Sequence, residues 1–164
     1  FTAWQQAFDP LLAAGARNYW KSHDFIDLSD AAIELLVGAV GHLPGPECEI
    51  FIAHVGGAAG RVPAAATAFP QRASHFVMNL HARWQEQSMD QRCTSWARDL
   101  FQATKPHSAG TAYINFMASD EADRVQEVYG ANYHRLAALK RRYGPSNLFR
   151  MNQNVMPSAN SQAA

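Results

Sequence analysis

The chain has 164 residues, enough for one domain with a substantial apolar core. Fourteen Lys plus Arg balance 14 Asp plus Glu, so no net charge recruits nucleic acid or an anionic membrane. No apolar run reaches the roughly 18 residues of a membrane helix, and residues 1–20 lack the basic start and apolar centre of a signal peptide, which leaves localisation unmarked.

The opening FTAWQQAFDPLL has no initiator Met and is amphipathic from its first residue, as expected of a segment cut from a longer chain. From Arg17 to Phe25, RNYWKSHDF is rich in aromatic residues with loose alternation and predicts a strand. Ser29 and Asp30 then cap a predicted helix whose apolar positions Ile33, Leu36, Val37, Val40 and Leu43 recur at three and four, before Pro44-Gly45-Pro46 stops it. CEIFIAHV and HFVMNLHARW predict two further strands. The intervening AAGRVPAAATAFPQR has two prolines and no period, which predicts an ordered loop, and long loops in compact domains are often functional.

Met89, Cys93, Trp96, Ala97, Leu100 and Phe101 form a core stripe on a predicted helix from Ser88 to Ala103. GTAYINFM, residues 110–117, predicts a buried central strand with Tyr113 and Asn115 on one face and Ala112, Ile114 and Phe116 on the other. A further helical stretch starts at Ser119 and Asp120. Its first face is Val125, Val128 and Tyr129; a second, after Gly130-Ala131-Asn132, is Tyr133, Leu136, Leu139 and Tyr143, closed by Gly144 and Pro145. Residues 1–155 are expected to form the domain and 156–164 a flexible tail. Cys48 and Cys93 have no CxxC or His-rich context and are too few for a disulfide framework, so they are expected to be core thiols.

Strands of mixed polarity alternating with helices predict an α+β fold, a mostly antiparallel sheet with helices packed on one face. Along HFVMNLHARW, Phe76, Met78, Leu80 and Ala82 belong under the helices, while His75, Val77, Asn79, His81 and Arg83 form the other face. That face is either solvated, as antiparallel sheets often are, or a pocket wall, which Tyr113 and Asn115 beside Asn79 and His81 favour. No GxSxG, HExxH or P-loop is present, GGAAG is not followed directly by a helix, and the seven histidines have no i, i+4 pair suited to a metal. No metal site is expected.

The last third narrows the reading. GTAYINFM followed by VYGANYHRLAALKRRYGPSNLFRMNQNV resembles the C-terminal segment of the berberine bridge enzyme-like family of FAD-linked oxidases. Tyr113 and Asn115 match its YxN strand, Asn132, Tyr133, Arg135, Leu136, Leu139 and Lys140 its following helix, and Pro145, Asn147, Phe149, Arg150, Asn152, Gln153 and Asn154 its final motif; Gly144 replaces the usual Asp. Upstream, Gly56, Gly57, Ala58, Arg61, Val62, Pro63, Thr67, Ala68, Phe69 and Arg72 fall on the family's loop pattern in the same collinear order.

The resemblance implies a substrate-binding domain whose sheet roofs the flavin ring, with FAD held mainly by an N-terminal FAD-binding domain that this chain lacks. Partners would be that domain and a small-molecule alcohol, sugar or secondary metabolite, with no nucleic acid or membrane. Tyr113, Asn115, Asn152 and Asn154 would contact flavin, Val55, Val77 and Asn79 would line the substrate, and His81 or Tyr113 would act as base. Neutral His suits pH 7, whereas Tyr would need its pKa lowered. Phe116 departs from members with a second Tyr there, because phenylalanine has no proton to exchange. Loss of cover over Tyr113, Val55 and Val77 predicts self-association of the fragment. The alternative is a non-catalytic α+β ligand-binding or interaction domain.

Overall fold

The computed structural model describes residues 1–7, 9 and 14–159. Three strands, β1 (Arg17–Phe25), β2 (Glu49–His54) and β3 (Phe76–Trp84), form an antiparallel sheet in the order β1-β3-β2. Among the described residues six α-helices accompany them, α1 (Thr2–Gln6), α2 (Asp30–Val40), α3 (Gly57–Gly60), α4 (Asp90–Thr104), α5 (Val125–Tyr129) and α6 (Asn132–Tyr143), together with short 3-10 turns. No helix among the described residues is long and apolar enough to cross a membrane. The α+β architecture holds, with β3 as the central strand.

Alternation along β3 sorts its side chains as expected. Met78, Leu80, Ala82 and Trp84 enter the core, which α4 closes with Cys93, Ala97, Leu100 and Phe101 and α2 with Leu36. Burying side chains of this size contributes roughly 1.5–3 kcal/mol each. Ser29 caps α2, its hydroxyl accepting from the Ala32 N–H at 3.3 Å.

Two apolar stripes are phased differently from expectation. On α2, Ala32 and Leu36 point inward while Ile33, Val37 and Val40 are exposed. On α6, Asn132 and Ala137 are the buried residues and Leu139 and Tyr143 are exposed. Both helices carry apolar residues on more than one side, so periodicity alone gives no single face.

The larger correction concerns residues 110–117. GTAYINFM is not a strand: Tyr113 is extended, but Ile114–Phe116 is a 3-10 turn, with Phe116 N–H on the Tyr113 carbonyl at 2.9 Å. Its backbone thus closes on itself instead of joining a ladder. The 58–72 segment is the ordered loop expected, apart from the short α3, and Arg72 organises it by donating to the carbonyls of Ala59 and Phe69 and to the Thr67 hydroxyl at 2.9, 3.1 and 2.6 Å. From α6, Asn132 donates to the Ala64 and Thr67 carbonyls at 2.8 and 3.0 Å and Arg135 to that of Ala65 at 3.2 Å. Of the expected flexible tail, residues 160–164 lie outside the described residues; Ser158 bonds the Ala137 carbonyl through its N–H at 3.1 Å and accepts from Arg141 at 2.9 Å.

Candidate functional site

The sheet face turned away from α2 and α4 brings together Trp20, Ser22 and Asp24 from β1, Glu49, Phe51 and Ala53 from β2, and Val77, Asn79 and His81 from β3. It is not a solvated face. Val77, Asn79 and His81 are buried, because the 113–117 segment lies against it. Ring contacts trace that cover: Trp20 meets His81 edge-on at 4.6 Å and Phe116 at 5.7 Å, Phe116 meets Tyr113 at 5.1 Å and Phe51 at 6.3 Å, and Tyr113 meets Phe69 at 6.1 Å. Edge-to-face geometry at these separations is attractive. Phe116 is the hub, which gives its apolar ring a packing reason.

Asp24 fixes the approach of this cover. Its N–H donates to the Thr111 carbonyl at 2.9 Å, its carbonyl accepts from Ala109 at 2.8 Å, and its Oδ2 accepts from the Thr111 hydroxyl at 2.8 Å. Gly110, at φ +78°, supplies the left-handed turn that lets both flanking residues reach one partner. Burial pushes the Asp24 carboxyl up to about 6, against the pull of the Thr111 hydrogen bond. On the other face, burial holds the neighbouring His23 imidazole down to about 4, against the favourable bond of its Nε2 to the Phe101 carbonyl.

Several polar groups line the face. His81 Nδ1 lies 3.2 Å from Glu49 Oε1, and its Nε2 makes no hydrogen bond among the described residues. The Ser22 hydroxyl is spent on the Met78 carbonyl at 2.8 Å. Asn115 donates to the Tyr113 hydroxyl at 2.8 Å, which leaves the phenolic proton free to donate. Trp20 Nε1 and Asn79 Oδ1, and farther along β1 Asp24 Oδ1, are buried without a hydrogen-bond partner among the described residues. Such groups are rare in folded proteins and costly, and one donor and one acceptor beside an aromatic wall suit a flat polar ligand.

Of the residues singled out from sequence, Val77, Asn79 and His81 share one face, and half-buried Val55 extends it, its N–H on the His75 carbonyl at 2.6 Å. Contrary to expectation, Tyr113 is not on a strand beside His81; Trp20 and Phe116 stand between them. Tyr113 and the exposed Asn115 instead border a cleft of about 420 Å³ with Phe69, Gln71, Arg72 and Tyr129. Asn152 and Asn154 lie in the returning tail, which Gln153 ties to the Met117 carbonyl at 2.9 Å. Asn152 is exposed in a left-handed turn; Asn154 donates to Met156 sulfur at 3.1 Å, with its buried Oδ1 unpartnered. Of the apolar patch expected around Tyr113, Val55 and Val77, Val77 is buried, while Val55 and Tyr113 are half-buried. Sequence reasoning missed Trp20, Glu49, Phe51 and Phe69. Alternation in RNYWKSHDF could have set Trp20 with Ser22 and Asp24, but only the pairing register sets it against His81.

The model of the family described as Berberine and berberine like matches residues 112–156. The FAD-linked oxidoreductase YvdP of Bacillus subtilis is 33% identical over 136 residues, an alignment covering 83% of this chain and 30% of that protein. The chain therefore spans about a third of such a relative's length. Among solved structures, glycopeptide hexose oxidase DBV29 complexed with teicoplanin aligns with a TM-score of 0.76 and 24% identity over 87% of this chain and 33% of its own. Berberine bridge enzyme-like protein 28 of Arabidopsis thaliana gives a TM-score of 0.79 and 17% identity over 89% and 35%. At those identities the two structures speak for the fold.

Proposed function

Because the chain belongs to the berberine and berberine-like family, with FAD-linked oxidoreductases as relatives, we propose that it is the substrate-binding portion of an FAD-dependent oxidoreductase acting on an alcohol, sugar or secondary metabolite. The observation that carries this reading is the unpartnered pair on the aromatic sheet face, Trp20 Nε1 as donor and Asn79 Oδ1 as acceptor. They fit the edge of a polar heteroaromatic ring or of a bound hydroxyl compound, and Tyr113, Asn115, Asn152 and Asn154 remain the candidates for further contacts to the cofactor. Bound FAD would supply the two-electron acceptor.

The chain's own work is then positioning and proton transfer. His81 accepts the substrate proton through Nε2, while Glu49 holds Nδ1 and offsets the charge that develops on the ring. Val55, Val77 and Asn79 line the substrate, and the Phe116 cluster keeps water from the face. The base need not sit at position 116. Exposed Leu148, Phe149 and Met151 on the returning tail favour cover by the flavin-binding part of the same polypeptide.

The test compares this chain with the longer polypeptide that carries it. The longer protein is expected to purify with FAD and to lose about tenfold or more of its FAD or substrate affinity in an Asn79→Leu variant; the chain alone is expected to hold no FAD in equilibrium dialysis, since the ring by itself offers little buried area. A flavin-free longer protein, or micromolar FAD binding by this chain alone, would overturn the reading.

A further inference from the structure

Cys48 and Cys93 take no part in the sheet-face site, yet the fold sets them side by side. Cys48 ends the turn at 45–48, its N–H on the Gly45 carbonyl at 3.1 Å, one residue before β2. Extending the register of Glu49 with His81 puts Cys48 across from Ala82 on the helix side, where its thiol donates to the Arg83 carbonyl at 3.4 Å. On α4, Cys93 and Ala97 lie one turn apart and pack into the same buried cluster with Cys48, Ala82 and Trp84. Both alanines are small, so the two thiols share one buried cluster between strand and helix.

We propose that Cys48 and Cys93 are a dithiol pair that closes to an intramolecular disulfide when the chain meets an oxidised low-molecular-weight disulfide such as oxidised glutathione. Cys48, at the end of a turn, is the first to react. Its thiolate attacks one glutathione sulfur, the glutathione S–S bond breaks, and the departing thiolate takes up a proton. Cys93 then gives its proton to solvent and attacks the Cys48 sulfur of the mixed disulfide, releasing the second glutathione. Two protein thiols are oxidised to one disulfide and one glutathione disulfide is reduced to two thiols.

Access sets the rate. Burial raises the Cys93 thiol to about 11, with the adjacent Cys48 adding to the shift, so little thiolate exists at neutral pH. Closure therefore proceeds through local opening of the 45–48 turn, over minutes to hours. The crosslink would fasten α4 to the residue next to Glu49, and so restrain the strand that holds the His81 partner.

The experiment is incubation of the folded chain with oxidised glutathione, acid quench, alkylation in denaturant and mass spectrometry. The expected product is lighter than the reduced chain by two hydrogens, yields a 48–93 crosslinked peptide, takes up no alkylating reagent and reverts with dithiothreitol. Trp84 and Trp96 lie in the same cluster and should lose fluorescence as it forms. A Cys93→Ala variant should instead accumulate glutathione on Cys48. Three outcomes overturn the proposal: two thiols still alkylated after a day, a separate glutathione on each cysteine, or closure only after denaturation.

Discussion

The two faces of β3 carry the same alternation with opposite consequences. On the helix side, Met78, Leu80 and Ala82 meet matched apolar partners, and the buried cation Lys21 is answered by Asp120 at 2.9 Å and Glu121 at 3.2 Å. On the far side, Asn79 and His81 are almost as deeply buried, but Asn79 Oδ1 and Trp20 Nε1 have no hydrogen-bond partner among the described residues. Among the described residues, the helix side is an apolar core with one unmet atom, His23 Nδ1; the far side holds three, on Trp20, Asp24 and Asn79, against an aromatic cover. A fold that leaves polar groups unpaired costs itself stability there, and function is the usual reason.

The largest effect separates the faces directly. Leu80→Ala should cost about 3–5 kcal/mol in urea unfolding, since a fully buried side chain is replaced by a cavity. Asn79→Leu, one residue away on the other face, should cost less than about 1 kcal/mol. Equal losses would mean that the faces are not distinct in kind.

The His23 and Asp24 pair sharpens the comparison through pH. His23, at about 4 in the fold against 6.5 in the open chain, makes the protein lose stability as pH falls between those values. Asp24, at about 6 against 3.8, does the reverse: its folded form takes up the proton first, so stability rises as pH falls through 6 toward 4. At pH 5 the folded and unfolded chains each hold about one proton between these two groups, and their effects cancel. Asp24→Asn removes one side of the balance. It should stabilise by up to about 3 kcal/mol above pH 6.5 and make unfolding steeply acid-sensitive between pH 6.5 and 4. An unchanged stability profile against pH would break this account of the two strand faces.

The smallest effect is Trp20→Phe, which keeps a ring against His81 and Phe116 and deletes only the unpartnered N–H. Thermal unfolding should shift by no more than a few degrees, in either direction, within about 1 kcal/mol. Ligand affinity in the longer protein should fall by tenfold or more. A large loss of stability with no loss of affinity would make the indole structural.

The strands β1 and β3 and the buried stripe of α4 were legible because they follow periods of two and 3.6, and β2 because it is a short apolar run ended by Gly56 and Gly57. The 110–117 segment was not. Its apolar run matches a strand, but Gly110 and the three hydrogen bonds of Asp24, 85 or more positions earlier in the chain, bend it into a turn, and no local pattern announces such a partner. The loop at 58–72 and the helix around Asn132 were readable as motif pieces only through the family resemblance. The structure gives the physical reason for several of those residues: Arg72 and Thr67 bind each other, and Asn132 and Arg135 hold the loop carbonyls. Of the site itself, Asn79 and His81 could be read from alternation, whereas Trp20 and Glu49 needed the strand register.

The measurement that reaches the central claim most directly is anaerobic flavin reduction in the longer protein, using an alcohol or sugar that the wild type oxidises. With His81 as the proton acceptor, His81→Ala should slow reduction about a hundredfold to ten-thousandfold, Tyr113→Phe should have a smaller effect, and Phe116→Tyr should stay near wild type. Reduction as fast as wild type in both His81→Ala and Tyr113→Phe would contradict the account.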